Sequence, residues 1–283
     1  MYTQPEVTTS LPRPAIGESR LVRKNKVVIN YFVRGAGETV ILLAAFARAV
    51  SDYNELVVSL NEAGYRTVAV EHRGMGQSTS PIFPRANMHD FAKDVADVIG
   101  ALDDLPGGKV HVLGRAFGAR VARALATNHP NVVQSVILLA GGGMIRITRS
   151  RLLPYILCNS PLMPEKIKLK AVRATLYAPD STVPRHLAYH HTFRAMRRQI
   201  FAMRTSLNDI WRDSPVPVLW IHGEQDRLVP LKNAINLCDR FPEQVKLVVI
   251  PNAGHAMLPE QPEAVLKQIT AFLGEYPLSV QRP

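Results

Sequence analysis

The stretch Lys109-Val110-His111-Val112-Leu113-Gly114-Arg115-Ala116-Phe117-Gly118-Ala119-Arg120 sets the terms for the rest of the chain. Its apolar first half reads as a strand running to Gly114, and from Ala119 to Asn128 apolar residues recur at helical spacing. Only a tight turn separates the two. The glycines at 114 and 118 let the backbone turn sharply and let helix and strand approach closely.

The same alternation extends on both sides. Arg20 to Arg23 and Val27 to Val33, parted by Lys24-Asn25-Lys26, predict an opening β-hairpin. Thr39 to Ala44 and Tyr65 to Val70 are continuous apolar runs, as strands buried on both faces require. Between them Asp52 to Ala63 is amphipathic, with Gly64 as its cap. Met88 to Leu102 predicts a helix whose core stripe is Phe91, Val95, Val98, Ile99 and Leu102. Val133 to Leu139 is a further strand, ending in Gly141-Gly142-Gly143. The pattern then changes: from about Met144 to Asp213 only helical spacing is found, broken by prolines. Alternation resumes with Val216 to His222, Leu231 to Arg240, Val245 to Ile250 and Glu260 to Leu273. The expected fold is α/β, a doubly wound, mostly parallel sheet interrupted by a helical insertion. The expected organisation is an irregular leader over residues 1–17, a core over 18–143 and 214–283, and a helical, basic lid over 144–213.

The net charge of +11 is concentrated. From Met144 to Arg212 there are 13 Lys and Arg against Glu165, Asp180 and Asp209, a net +10, which leaves +1 for the remainder. That distribution argues for a local positive field and against a nucleic-acid binder. The start of the chain has no long apolar run and no cleavage-like signature, so no signal peptide is expected. No stretch approaches the roughly 20 apolar residues of a spanning helix. Cys158 and Cys238 lie far apart without metal-ligand spacing and are expected to be buried free thiols. The cytoplasm is the expected location.

Four motifs occur in order. Glu71-His72-Arg73-Gly74-Met75-Gly76-Gln77-Ser78 follows one strand, and the Gly114–Gly118 turn follows the next. His222-Gly223-Glu224-Gln225-Asp226 closes a third. Asn252-Ala253-Gly254-His255 with Glu260-Gln261-Pro262 comes last. Together they resemble the α/β-hydrolase superfamily over roughly Val27 to Leu273, with the Gly114–Gly118 segment similar to its nucleophile elbow. The resemblance implies that Asp226 and His255 take the acid and base positions. A carboxylate accepting the imidazole N–H fixes the tautomer and stabilises the imidazolium formed on proton uptake. It also implies an oxyanion hole from the backbone N–H groups of Phe117 and Phe46. His72, His111 and His222 lie beside or within strands and read as structural, as does Ser78.

The chain departs from the family at the centre. Where Ser, Asp or Cys is usual stands Ala116, and a methyl group cannot attack a substrate. Arg115 replaces a frequent His, and Ala44-Ala45 replaces a frequent His-Gly. The expected activity is that of a hydrolase-family enzyme on a small organic substrate, an anionic one included, using the His–Asp pair and the oxyanion hole without a serine nucleophile. The alternatives are a serine ester or acyl hydrolase inactivated by Ser→Ala at 116, and a non-catalytic small-molecule binder. Arg146 and Arg197 of the basic segment are the candidates for meeting a substrate anion, with His190-His191 also within that segment. An anionic membrane surface is another reading of the basic segment. No metal or dinucleotide is implied, because the elbow lacks the G-x-G-x-x-G spacing.

Overall fold

The computed structural model describes residues 16–278 apart from 84, 104, 144, 146–147, 149, 152, 156–159, 161, 182–192 and 211–214. Arg146, Cys158, His190 and His191 therefore lie outside the described residues, as does the expected leader up to residue 15.

Eight strands form one sheet: β1 (Glu18–Lys24), β2 (Val27–Arg34), β3 (Thr39–Leu43), β4 (Arg66–Val70), β5 (Val110–Arg115), β6 (Val133–Leu139), β7 (Val218–Gly223) and β8 (Val245–Ile250). Their spatial order is β1-β2-β4-β3-β5-β6-β7-β8. The opening hairpin pairs antiparallel, β2 meets β4 antiparallel, and every later pairing is parallel. The strands that alternate with helices, β3 to β7, are buried along nearly their whole length, which is why their sequences are continuous apolar runs.

Helices cover both faces. On one side α1 (Asn54–Glu62) and the C-terminal helix Pro262–Glu275 pack through Leu56, Leu60, Val265, Ile269 and Phe272. On the other, α2 (Met88–Ile99) and α3 (Phe117–Asn128) pack through Phe91, Val95, Val98, Val121 and Leu125. A reciprocal capping box starts α2: the Asn87 side chain accepts from the amides of His89 and Asp90, and the Asp90 side chain accepts from the Asn87 amide. His129 caps the end of α3, its amide donating to Leu125 O at 2.8 Å.

Between β6 and β7 the chain carries α4 (Glu165–Leu176), α5 (Phe193–Ala202) and α6 (Leu207–Ile210). Side chains tie this insertion to the core. Arg120 donates to Thr205 O at 2.8 Å, Thr127 Oγ1 to Ile210 O at 3.1 Å, and Arg198 to Ser80 Oγ and O at 3.0 and 2.8 Å.

The strand order reverses direction at β3, which lies between β4 and β5. In an open α/β sheet, ligands settle in the crevice outside the carboxyl ends of strands at such a switch point. Leu43 and Gly114 are register partners at the ends of β3 and β5. The loops that follow β3, β5, β7 and β8 therefore converge on one place.

Candidate active site

The turn after β5 is built by close approach. A Cβ on Gly114 would stand 2.3 Å from Gly118 O, and one on Gly118 would stand 2.0 Å from Leu43 O. Only glycine lets the start of α3 sit against the end of β3. Between them Ala116 is held at φ 48°, ψ −100°. A non-glycine residue in such a sparsely populated region costs about 1–3 kcal/mol, and the surrounding structure must enforce it. Here the Ala116 amide donates to Leu139 O at 3.0 Å, and Gly114 and Gly118 pin both sides.

Asp226 comes from the loop after β7 and His255 from the loop after β8. His255 Nδ1 donates to Asp226 Oδ2 at 2.8 Å, while Asp226 Oδ1 accepts from the amides of Leu228 and Val229, each at 2.8 Å. Burial works against ionisation of Asp226, but the His255 imidazole and its hydrogen bond, His222 and the Val229 amide outweigh it and lower the carboxyl pKa. With Nδ1 engaged, Nε2 is the His255 nitrogen left for proton transfer.

His222 lies below this pair, Nε2 at 3.6 Å from Asp226 Oδ2. Its Nε2 donates to Val229 O at 3.1 Å and its Nδ1 accepts from Trp220 Nε1 at 3.3 Å. Burial lowers its pKa, and its two ring hydrogen bonds make this imidazole a support for the Asp226 loop. His72 is similar: Nε2 donates to Ala44 O at 3.1 Å, its ring packs against Phe91 and Phe117, and burial lowers its pKa to about 4. His111 binds Ser135 Oγ at 2.7 Å within the sheet. Ser78 bridges strand and loop, donating to Glu71 O and accepting from the Asn30 amide, both at 2.8 Å.

A cavity of about 40 Å³ lies over the turn, lined by Ala45, Phe46, Arg48, Arg115, Ala116, Tyr155, Tyr177 and His255 among others. Phe117 opens α3 and packs its ring beneath, edge-on to Phe46 at 6.2 Å between centroids. The next amide of the loop, Ala47, donates to Gln199 Oε1 of α5 at 2.6 Å. Arg197 is not part of this cavity. It lines a separate groove of about 570 Å³ with Phe83, Arg85 and Phe201, where Arg85 lies over both aromatic rings.

Two contributors, Arg48 and Tyr177, line the cavity without having been singled out by their sequence positions. A third, Glu260, belongs to the closing motif and locks the wall. The Glu260 carboxylate accepts from the Gly254 amide at 2.8 Å, the Ala178 amide at 2.7 Å and Ser181 Oγ at 2.6 Å. It thereby joins the His255 loop to the segment that follows α4. Glu260 was visible as a motif residue, but two of its partners, Ala178 and Ser181, lie about eighty positions upstream, where no local pattern marks them.

The family model described as serine aminopeptidase, S33 matches residues 36–262 of the chain. A 2-(acetamidomethylene)succinate hydrolase of Mesorhizobium japonicum is 26% identical over 275 residues, covering 90% of this chain and 95% of the relative. A 2-hydroxy-6-oxo-6-(2'-aminophenyl)hexa-2,4-dienoic acid hydrolase of Metapseudomonas resinovorans is 24% identical over 271 residues, covering 90% of each. Among solved structures, an E-2-(acetamidomethylene)succinate hydrolase superposes with a TM-score of 0.74 at 23% identity, over 91% of this chain and 99% of its own. At that identity the structural likeness carries the fold.

Proposed function

The chain belongs to the serine aminopeptidase S33 family of the α/β-hydrolases, and from that premise we propose an enzyme that works on a small organic substrate by general-base catalysis. His255 Nε2 takes a proton from water, whose oxygen then adds to an electrophilic carbon of the substrate. The same imidazole returns the proton to the leaving group. Asp226 holds the tautomer and stabilises the imidazolium. The amides of Phe117 and Phe46 are the donors for the developing oxyanion. Ala116 forms an apolar floor and no covalent intermediate. The helical insertion over 144–213 acts as the lid of the site.

One observation carries this reading: the 2.8 Å His255–Asp226 pair, with both carboxylate oxygens engaged, is complete beside a residue that cannot be a nucleophile. A protein that only bound its ligand would have no use for that pair. The relatives named above are hydrolases of small organic acids, which supports the substrate class.

The strained conformation of Ala116 favours a second reading, a serine hydrolase whose hydroxyl is missing. An elbow at φ 48° is retained although it presents no functional group. Intact-protein mass spectrometry during turnover of short aryl esters and thioesters separates the two, with Ala116→Ser run alongside. The general-base reading expects wild-type turnover without an acyl adduct and no gain from the serine. A large gain in Ala116→Ser, with labelling by a serine-directed fluorophosphonate, assigns the chain to the second reading.

A further inference from the structure

The cavity beside His255 is lined by a buried guanidinium that has no side-chain hydrogen bond among the described residues. Two guanidiniums line it, Arg48 and Arg115, and one carboxylate, Asp52, lies between them with its side chain 7% exposed. Arg48 occupies that carboxylate in bidentate fashion, Nε to Oδ2 and Nη2 to Oδ1, both at 2.6 Å. Arg115 is left 3.8 Å from Oδ2, outside hydrogen-bond reach, although its side chain is only 10% exposed. Its buried Nε finds no acceptor among the described residues, and neither does the hydroxyl of Tyr177, a residue 1% exposed on the same wall.

An unmatched buried polar group costs about 1–3 kcal/mol, and more when it is charged. Arg115 and Tyr177 both line the cavity, and a ligand acceptor seated there would meet that need. The Tyr177 wall is also fixed in advance, because the next amide, Ala178, is held by Glu260.

We infer that Arg115 and Tyr177 form a built site for a carboxylate of the substrate. The planar guanidinium offers paired N–H donors to the two carboxylate oxygens, and the Tyr177 hydroxyl donates to one of them. The Arg48–Asp52 pair braces the arrangement and leaves one guanidinium to meet the ligand, which suits a single carboxylate better than a phosphate dianion. The N-terminus of α3 acts in the same sense. Arg115 and Ala116 are consecutive and line the same cavity as His255, so the bond that reacts lies close to the carboxylate. Anion recognition then belongs to the sheet's own arginine and not to Arg197 of the insertion. This inference rests on the Ala116 cavity being the active site.

The test is a calorimetric titration with acetate and propionate, with acetamide and propionamide as uncharged isosteres and inorganic phosphate as the dianion. The acids are expected to bind at least tenfold more tightly than the amides. Arg115→Met is expected to weaken acetate at least tenfold without lowering the thermal midpoint, because it removes an unmatched buried charge. Tyr177→Phe is expected to weaken acetate several-fold, and it stands as the second variant should Arg115→Met fail to fold. His255→Ala is expected to keep acetate affinity while turnover is lost, so failure of the base assignment and failure of the anion site are told apart. Equal binding of acetate and acetamide, wild-type acetate affinity in both Arg115→Met and Tyr177→Phe, or tighter binding of phosphate than acetate would each overturn the inference.

Discussion

At the scale of single residues, the site is defined by what the backbone forbids. Gly118 has no room for a methyl group, since its Cβ would meet Leu43 O at 2.0 Å and Ala44 O at 2.7 Å. Neither atom is a flexible side-chain end, so Gly118→Ala must move α3 off β3. We expect a loss of about 3 kcal/mol or more, read as a lower denaturation midpoint in urea. A variant as stable as the wild type would show that the close approach is dispensable. These glycines were legible in the sequence, because a strand, two glycines four apart and a helix leave few other geometries. Arg115 was legible only as a departure from the family. Its meaning depends on Asp52 being taken by Arg48, four positions away, and on that local pair coming to lie beside the end of β5. Arg197 shows the reverse case: its spacing among apolar residues was plain, but nothing local told which groove that face of α5 would line.

At the scale of elements, the central question is how the insertion is fastened to the core beside His255. Glu260 receives three donors from two separate segments, Gly254 on one side and Ala178 and Ser181 on the other. The Ala256 amide adds a bond to Leu176 O at 2.8 Å. Removing the carboxylate leaves buried amides without acceptors, at about 1–3 kcal/mol each. Glu260→Ala is therefore expected to lower the thermal midpoint and to speed amide hydrogen exchange at Gly254 and Ala178, with exchange in β5 unchanged. Unaltered exchange at both amides would show that the fastening lies elsewhere. The elements themselves were largely readable from the chain. Continuous apolar runs marked β3 to β7 because strands buried on both faces need them, and the stripe of α2 matched its buried face, Phe91, Val95, Val98 and Ile99. The contacts between insertion and core were not readable, because each joins residues about eighty to one hundred and fifty positions apart through one or two hydrogen bonds.

At the scale of the whole molecule, buried imidazoles link stability to pH. His72 is fully enclosed, and burial lowers its pKa from 6.5 to about 4. Below pH 6.5 the unfolded chain takes up a proton that the folded chain refuses, so stability is lost as pH falls from 6.5 toward 4. At 1.4 kcal/mol per tenfold, the loss attributable to His72 is about 3 kcal/mol. His222 and His111 are shifted down by burial and act in the same direction. Asp94, raised to about 6 by burial despite Arg73, acts in the opposite one. The effect is therefore read as a difference: the wild type should lose about 3 kcal/mol more than His72→Gln between pH 6.5 and 4 by denaturant titration. Parallel stability curves would contradict the assignment of His72.

The central claim of the proposed reading is that His255, held by Asp226, serves as an imidazole base toward water. Steady-state turnover of the wild type and of folded His255→Ala, on a common panel of short esters, thioesters and small carboxylic-acid substrates, tests it most directly. A general base contributes about 10²–10⁴-fold, so His255→Ala should lose turnover by that factor. Equal turnover in the two proteins would contradict the account.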